Sequence, residues 1–146
     1  MFRRLIATSS MWFTVPLRLA IGTVFLAHGS QKVLGSFGGK GLSSFLSNPV
    51  PYPFMKPAWL WLGAAAFSEL IGGVLLIFGL LTRVAAFFLT CVMVVAIFGV
   101  HWPHFFAPAG FEYPMVLLAG CIALLISGGG ALSVDLGLRG AGGRRR

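Results

Sequence analysis

Apolar residues gather along this chain in four long blocks, separated by short stretches where glycine, proline and charge collect. The blocks fall at about 13–34, 58–81, 84–102 and 112–128, each close to the roughly 20 apolar residues that a helix needs to cross a bilayer. Pro16 lies in the first turn of the first block, where a missing N–H does no harm, and Pro57 opens the second in the same way. Leu80-Leu81-Thr82-Arg83 is a tight link between blocks two and three, HWPHFFAPAGFEYP separates three and four, and Gly128-Gly129-Gly130 ends the fourth. The pattern predicts an all-α fold: one membrane-embedded four-helix bundle over 1–146, with 35–57 as an outer loop and 136–146 as a basic tail. Within that loop GLSSFLSN predicts an amphipathic turn or two and PVPYPF an extended segment, together either a lid or an ordinary connector.

Composition supports the membrane reading. Hydrophobic residues make up 58% of the chain and charged ones only 10%, where a soluble domain carries about 25% charge. The net charge of +8 then speaks to topology and anionic headgroups, not to nucleic acid. With four spans both termini share one side, which carries Arg3, Arg4, Arg83, Arg139 and Arg144 to Arg146; the other side has Lys32, Lys40 and Lys56. The positive-inside bias places both termini in the cytoplasm and the protein in the inner membrane. The segment MFRRLIATSS has the charge of a signal peptide, but Arg18 interrupts what would be its apolar core, so it reads as retained. Cys91 and Cys121 sit inside apolar blocks with no CxxC or zinc spacing, and read as buried inert thiols.

This orientation collects the polar residues. His28, Gln31 and Lys32 fall at the outer end of span 1, His101 and His104 at that of span 3, and Glu112 opens span 4 from the same face. Glu69 lies deeper, about eleven residues below the outer end of span 2, roughly 16 Å at 1.5 Å per residue. An acid near the bilayer centre costs about 2.5–3.5 kcal/mol on insertion scales, so Glu69 is expected to face the interior and find a partner. Small residues recur around it every four positions (Ala64, Ser68, Gly72; Ala65, Gly73), and Gly22 and Gly29 share a seam of span 1 with Arg18, Phe25 and Lys32. A site between spans 1 and 2, roofed by the end of span 3, is the economical arrangement. Plainer readings stand beside it: Lys32 as a snorkelling anchor, His28 in a structural hydrogen bond, Gln31 as a helix cap, His104 as a loop residue and Glu112 as an acid favoured by the helix dipole. At the opposite end, Arg18, Arg83 and Asp135 predict an ion-pair lock.

Four pieces in order carry a family likeness: RLAIGTVFLAHGSQKVLGSFGGKG, then FSELIGGVLLIFGLLTRVAA, then the histidine near the end of span 3, then SGGGALSVD. From Leu17 to about Asp135 the chain resembles DoxX-type membrane proteins. The resemblance implies a four-helix membrane bundle and, from some relatives, association with membrane oxidoreductases that include a quinone-reducing thiosulfate system, or with quinone-stress defence. It points to a quinone headgroup held by His28, Lys32 and Glu69, with His101 and Gln31 as further candidates, and with His28 or Glu69 relaying protons. The chain has no flavin motif, no haem-type CxxCH and no iron–sulfur cysteine set, so electrons would come from a protein partner. Two alternatives stay open. One is a non-catalytic accessory subunit of a larger membrane complex. The other is copper or zinc handling by His28, His101 and His104, perhaps with Glu112, though no motif fixes their spacing.

Overall fold

The computed structural model describes Ile6 and residues 8–143, so Arg3, Arg4 and Arg144 to Arg146 lie outside the described residues. Among the described residues the chain forms helices and no strand. The long helices are α1 (Thr14–Val33), α3 (Ala58–Phe78), α4 (Thr82–Val95) and α5 (Glu112–Ser127). A short α2 (Gly41–Leu46) lies within the expected outer loop, and α6 (Val134–Gly143) takes up the start of the expected tail. Beyond Val95, α4 continues as a π-helical segment, Ala96–His101, with the Trp102 N–H on the Ile97 carbonyl at 2.9 Å. Continuous helix therefore runs from Thr82 to His101.

Local chemistry sets the boundaries. Pro57 is extended and caps α3 at its start, while Gly79 (φ 65°) ends it in the left-handed conformation that a side chain disfavours. Leu81 is left-handed too (φ 48°), at a cost of about 1–2 kcal/mol for a non-glycine residue. The offset comes from 54 residues away, where the buried Asp135 carboxylate accepts the N–H groups of Leu81 (2.8 Å) and Thr82 (2.9 Å). Asp135 is thus the cap of α4, and it makes no direct salt bridge with Arg18, contrary to the ion-pair lock expected from sequence. Arg18 instead donates to the Leu132 carbonyl (3.0 Å), so both charges tie the glycine turn after α5 to the helix ends. Asp135→Ala is expected to lower unfolding stability in detergent by roughly 2 kcal/mol, since hydrogen bonds to a charged group are worth about 1.5–3 kcal/mol. Asp135→Asn, which keeps one acceptor, should lose about half of that; equal stability of all three proteins would show that the cap is idle.

α1 packs on α3, α3 on α4, α4 on α5, and α5 returns to α1, with α2 against α1 and α3. The core they enclose includes Phe25, Leu76, Ala86, Leu89, Cys121 and Leu124. Outward, Phe67, Ile71, Phe78, Phe87, Phe88 and Phe98 stand exposed. The helices Ala58–Phe78 and Thr82–His101 are long and apolar enough to cross a membrane, and only 28% of each window is buried inside the protein. A core helix of a soluble protein would be mostly buried. α1 has a span's length but carries Arg18, His28, Gln31 and Lys32, and α5 has 16 residues.

Candidate functional site

The deepest charge finds its partner. Glu69, 3% exposed on α3, accepts from the Lys32 ammonium, which comes from the last turn of α1. A lysine at that position also suits the negative end of the helix dipole. The Lys32 side chain is 25% exposed and lies 5.4 Å from the centre of the Phe45 ring on α2, a cation–π contact from the loop side. What brings α1 and α3 close enough is glycine: Gly22 and Gly29 on α1 and Gly73 on α3 face the other helix's backbone directly.

Beside this pair is a cavity of about 140 Å³. Its polar wall is His28, Lys32, Glu69, His101 and Tyr113; Phe25, Met93, Ala96 and Leu117 supply the apolar one. His28 is exposed, so it stands at the rim, with its ring centre 6.3 Å from that of Tyr113. His101 arrives at the end of the π-helical segment and donates from Nδ1 to the Ala109 carbonyl (2.8 Å). A carbonyl can only accept, so in the neutral ring Nε2 is left as an acceptor.

The sequence-predicted residues are therefore sorted by the fold. His28, Lys32, Glu69 and His101 share one cavity. Gln31 does not: it lines a separate polar depression of about 290 Å³ with Lys40, Ser44 and Asn48, whose only wall in common with the cavity is Lys32. His104 is exposed in the loop after α4, and Glu112, at the start of α5, accepts the Ala107 N–H (2.8 Å) and braces that loop. Among the described residues no three His, Cys, Asp or Glu side chains stand close enough to hold a metal ion, so His28, His101 and His104 do not form a ligand set. Tyr113 is the polar residue of the cavity wall that sequence reasoning did not single out. The available signal was its position four residues before Leu117, on the face of α5 that lines the cavity.

Chemically the site offers an ammonium, a carboxylate, two imidazoles and a phenol around a volume suited to one ring; a cavity of about 150 Å³ holds benzene. Such a set can donate hydrogen bonds to carbonyl oxygens and supply or accept protons, within apolar walls.

The DoxX family profile matches residues 13–102, more than half of the chain. The Bacillus subtilis protein named "Putative oxidoreductase CatD" is 33% identical over 129 residues, covering 84% of each chain. Two uncharacterized Haemophilus influenzae proteins are each 31% identical, one over 122 residues (82% of this chain, 78% of the relative) and one over 133 (85% and 89%). No solved structure matches the chain.

Proposed function

The chain belongs to the DoxX family of membrane proteins, and from that premise we propose that it binds a quinone headgroup in the cavity at the Lys32–Glu69 pair, as one subunit of a membrane redox assembly. In this reading α1, α3, α4 with its π-helical end, and α5 all span the inner membrane, both termini are cytoplasmic, and the cavity lies toward the outer leaflet. The coarser statement, a membrane protein with a relative named as an oxidoreductase, rests on the comparisons. The observation that carries the finer one is the cavity itself: proton-bearing side chains from four helices meet around a ring-sized volume beside a buried ion pair.

Reduction of a quinone takes two electrons and two protons. The chain's own residues account for the second requirement. Lys32 and the Tyr113 hydroxyl can donate to carbonyl oxygens, and Glu69 and His28 can relay protons to them. Electrons come from a partner protein. Exposed Phe37, Phe54 and Phe106 in the loops flanking the site provide an aromatic surface of the kind that partners cover. The same surface favours a second reading, a non-catalytic accessory subunit that docks through it.

One experiment separates the two. Protein purified in mild detergent from its native membrane is extracted for quinone beside a His28→Ala control. Near-stoichiometric quinone in the wild type, reduced at least about tenfold in the variant, is the expected result, since removing one good polar contact is commonly worth a factor of that order. No quinone in either, with the chain running in a larger complex, would leave the accessory-subunit reading.

A further inference from the structure

A cavity of about 140 Å³ has room for one ring and none for a long chain. Quinones dissolved in a bilayer carry an isoprenoid tail, so a headgroup in this cavity needs a way out for the tail. Of the described residues in the cavity wall, only His28 and Tyr113 are exposed; the others are buried or half-buried. These two face each other from α1 and α5, which places the opening between those helices.

Further along, the same two helices close on each other. A β-carbon at Gly120 of α5 would meet Ile21 Cδ1 of α1 at 2.1 Å and Leu17 Cδ1 at 3.5 Å. Ile21 is seven residues from His28 and Gly120 is seven from Tyr113, about 10 Å along each helix at 1.5 Å per residue. The seam is thus sealed at Gly120, and its outer end is bridged by two rings with centres 6.3 Å apart and planes tilted by 48°. Neither ring has a hydrogen-bond partner among the described residues, so packing alone holds the pair in place. Phe25 and Leu117 turn from this seam toward the cavity. At 100° per residue, Val24 and Val116 turn the other way; Val116 is 65% exposed and Val24 half-buried. The outward lip of the gap is therefore apolar. The border at Lys32 has the opposite character, since it adjoins the depression lined by Gln31, Lys40, Ser44 and Asn48, which an apolar chain has no reason to enter.

We propose that the ligand enters the cavity sideways from the bilayer through the α1–α5 gap, with His28 and Tyr113 as its gate and an isoprenoid tail lying over Val24 and Val116. The substrate class is then a tailed, membrane-dissolved quinone. This rests on the quinone reading and on α1 and α5 spanning the membrane.

The test measures equilibrium binding to the full chain in one detergent by calorimetry. Two quinones with the same headgroup are used, one tailless and one bearing a short isoprenoid tail. Val116→Trp narrows the lip from an exposed position outside the cavity wall, so the fold and the polar wall are left intact. Ile122→Trp is the control, at an exposed position on the opposite side of α5. Comparing each variant with the wild type, one quinone at a time, cancels partitioning into the detergent. Val116→Trp is expected to weaken the tailed quinone about tenfold or more by crowding and to leave the tailless one unchanged. Ile122→Trp should change neither. Equal effects on the two quinones in Val116→Trp, or none, would overturn the gap as the tail's path while the headgroup site stands. A wild type that binds neither quinone would overturn the headgroup site and the gap together.

Discussion

Lys32→Met is expected to destabilise the protein by about 3–5 kcal/mol, the usual consequence of leaving one member of a buried ion pair behind. The effect should be unequal between partners. Glu69 is 3% exposed, beside a wall of Phe25, Met93 and Ala96, so without its ammonium the carboxylate has no solvent to turn to. Lys32 is 25% exposed and also borders the polar depression lined by Gln31, Ser44 and Asn48. In Glu69→Gln the lysine can swing outward, keep its contact with Phe45 and regain water, so the loss should be nearer to 1 kcal/mol. The double variant Lys32→Met/Glu69→Gln removes both charges and should recover much of what Lys32→Met loses. Unfolding of the four proteins in mixed detergent gives the cycle directly. Equal, small losses in the two single variants would mean that the pair is solvated and that Glu69 is no buried charge. Both single variants should also lose retained quinone, which ties the electrostatics of the pair to the proposed function.

Glu69 was the most legible residue of the sequence, for a physical reason. A carboxylate in the middle of an apolar block has few ways to be tolerated, so it called for an interior partner without naming one. That Lys32, which also suited a snorkelling anchor, fills the place is visible only in the fold. His28 and His101 followed from the alternation of spans, which brings the end of the first and the end of the third to one face. The residues that escaped are those whose position depends on irregular backbone or on phase near a helix end. Gln31 is adjacent in sequence to Lys32, yet one residue is about 100° around a helix, enough to turn it toward the loop instead of the cavity. Tyr113 stands in the first turn of α5, where Trp and Tyr commonly mark a membrane interface, and only the packed fold shows its ring near His28. At the other end, opposite charges suggested an ion pair, but the N–H groups of the left-handed Leu81 and of Thr82 take the Asp135 carboxylate. Backbone strain of that kind has no signature in a hydropathy pattern.

Gly29→Ala is expected to cost about 3 kcal/mol and to empty the cavity proposed to hold quinone, although the substitution adds one methyl group and touches no cavity-lining side chain. In an exposed helix the same change would favour folding by about 1 kcal/mol. Here a β-carbon at position 29 would meet the backbone of Leu70, with its Cα at 2.5 Å and its Cβ at 2.8 Å. Gly73→Ala meets the same obstacle from the other helix, with the Leu26 nitrogen at 2.5 Å and the Gly22 carbonyl oxygen at 2.8 Å. Carbon atoms pack best at about 3.5–4.0 Å, so α1 and α3 would have to part by about an ångström along the seam. Overpacking of this kind typically costs about 1–3 kcal/mol and occasionally more, and backbone cannot rotate away as a side chain can. Gly72→Ala is the control on the same helix: its β-carbon would meet Leu89 side-chain carbons at 3.1 Å, which can shift to other rotamers, so little change in stability is expected. The consequence for the site follows from Leu70 being the neighbour of Glu69. Pushing the helices apart at Leu70 moves the carboxylate away from Lys32, and an ion pair in a poorly solvated setting loses most of its value when its geometry is spoiled. Melting temperature and retained quinone should therefore fall together in Gly29→Ala and Gly73→Ala, and neither should fall in Gly72→Ala. A stable Gly29→Ala protein that still held its quinone would show that the α1–α3 seam does not set the geometry of the site.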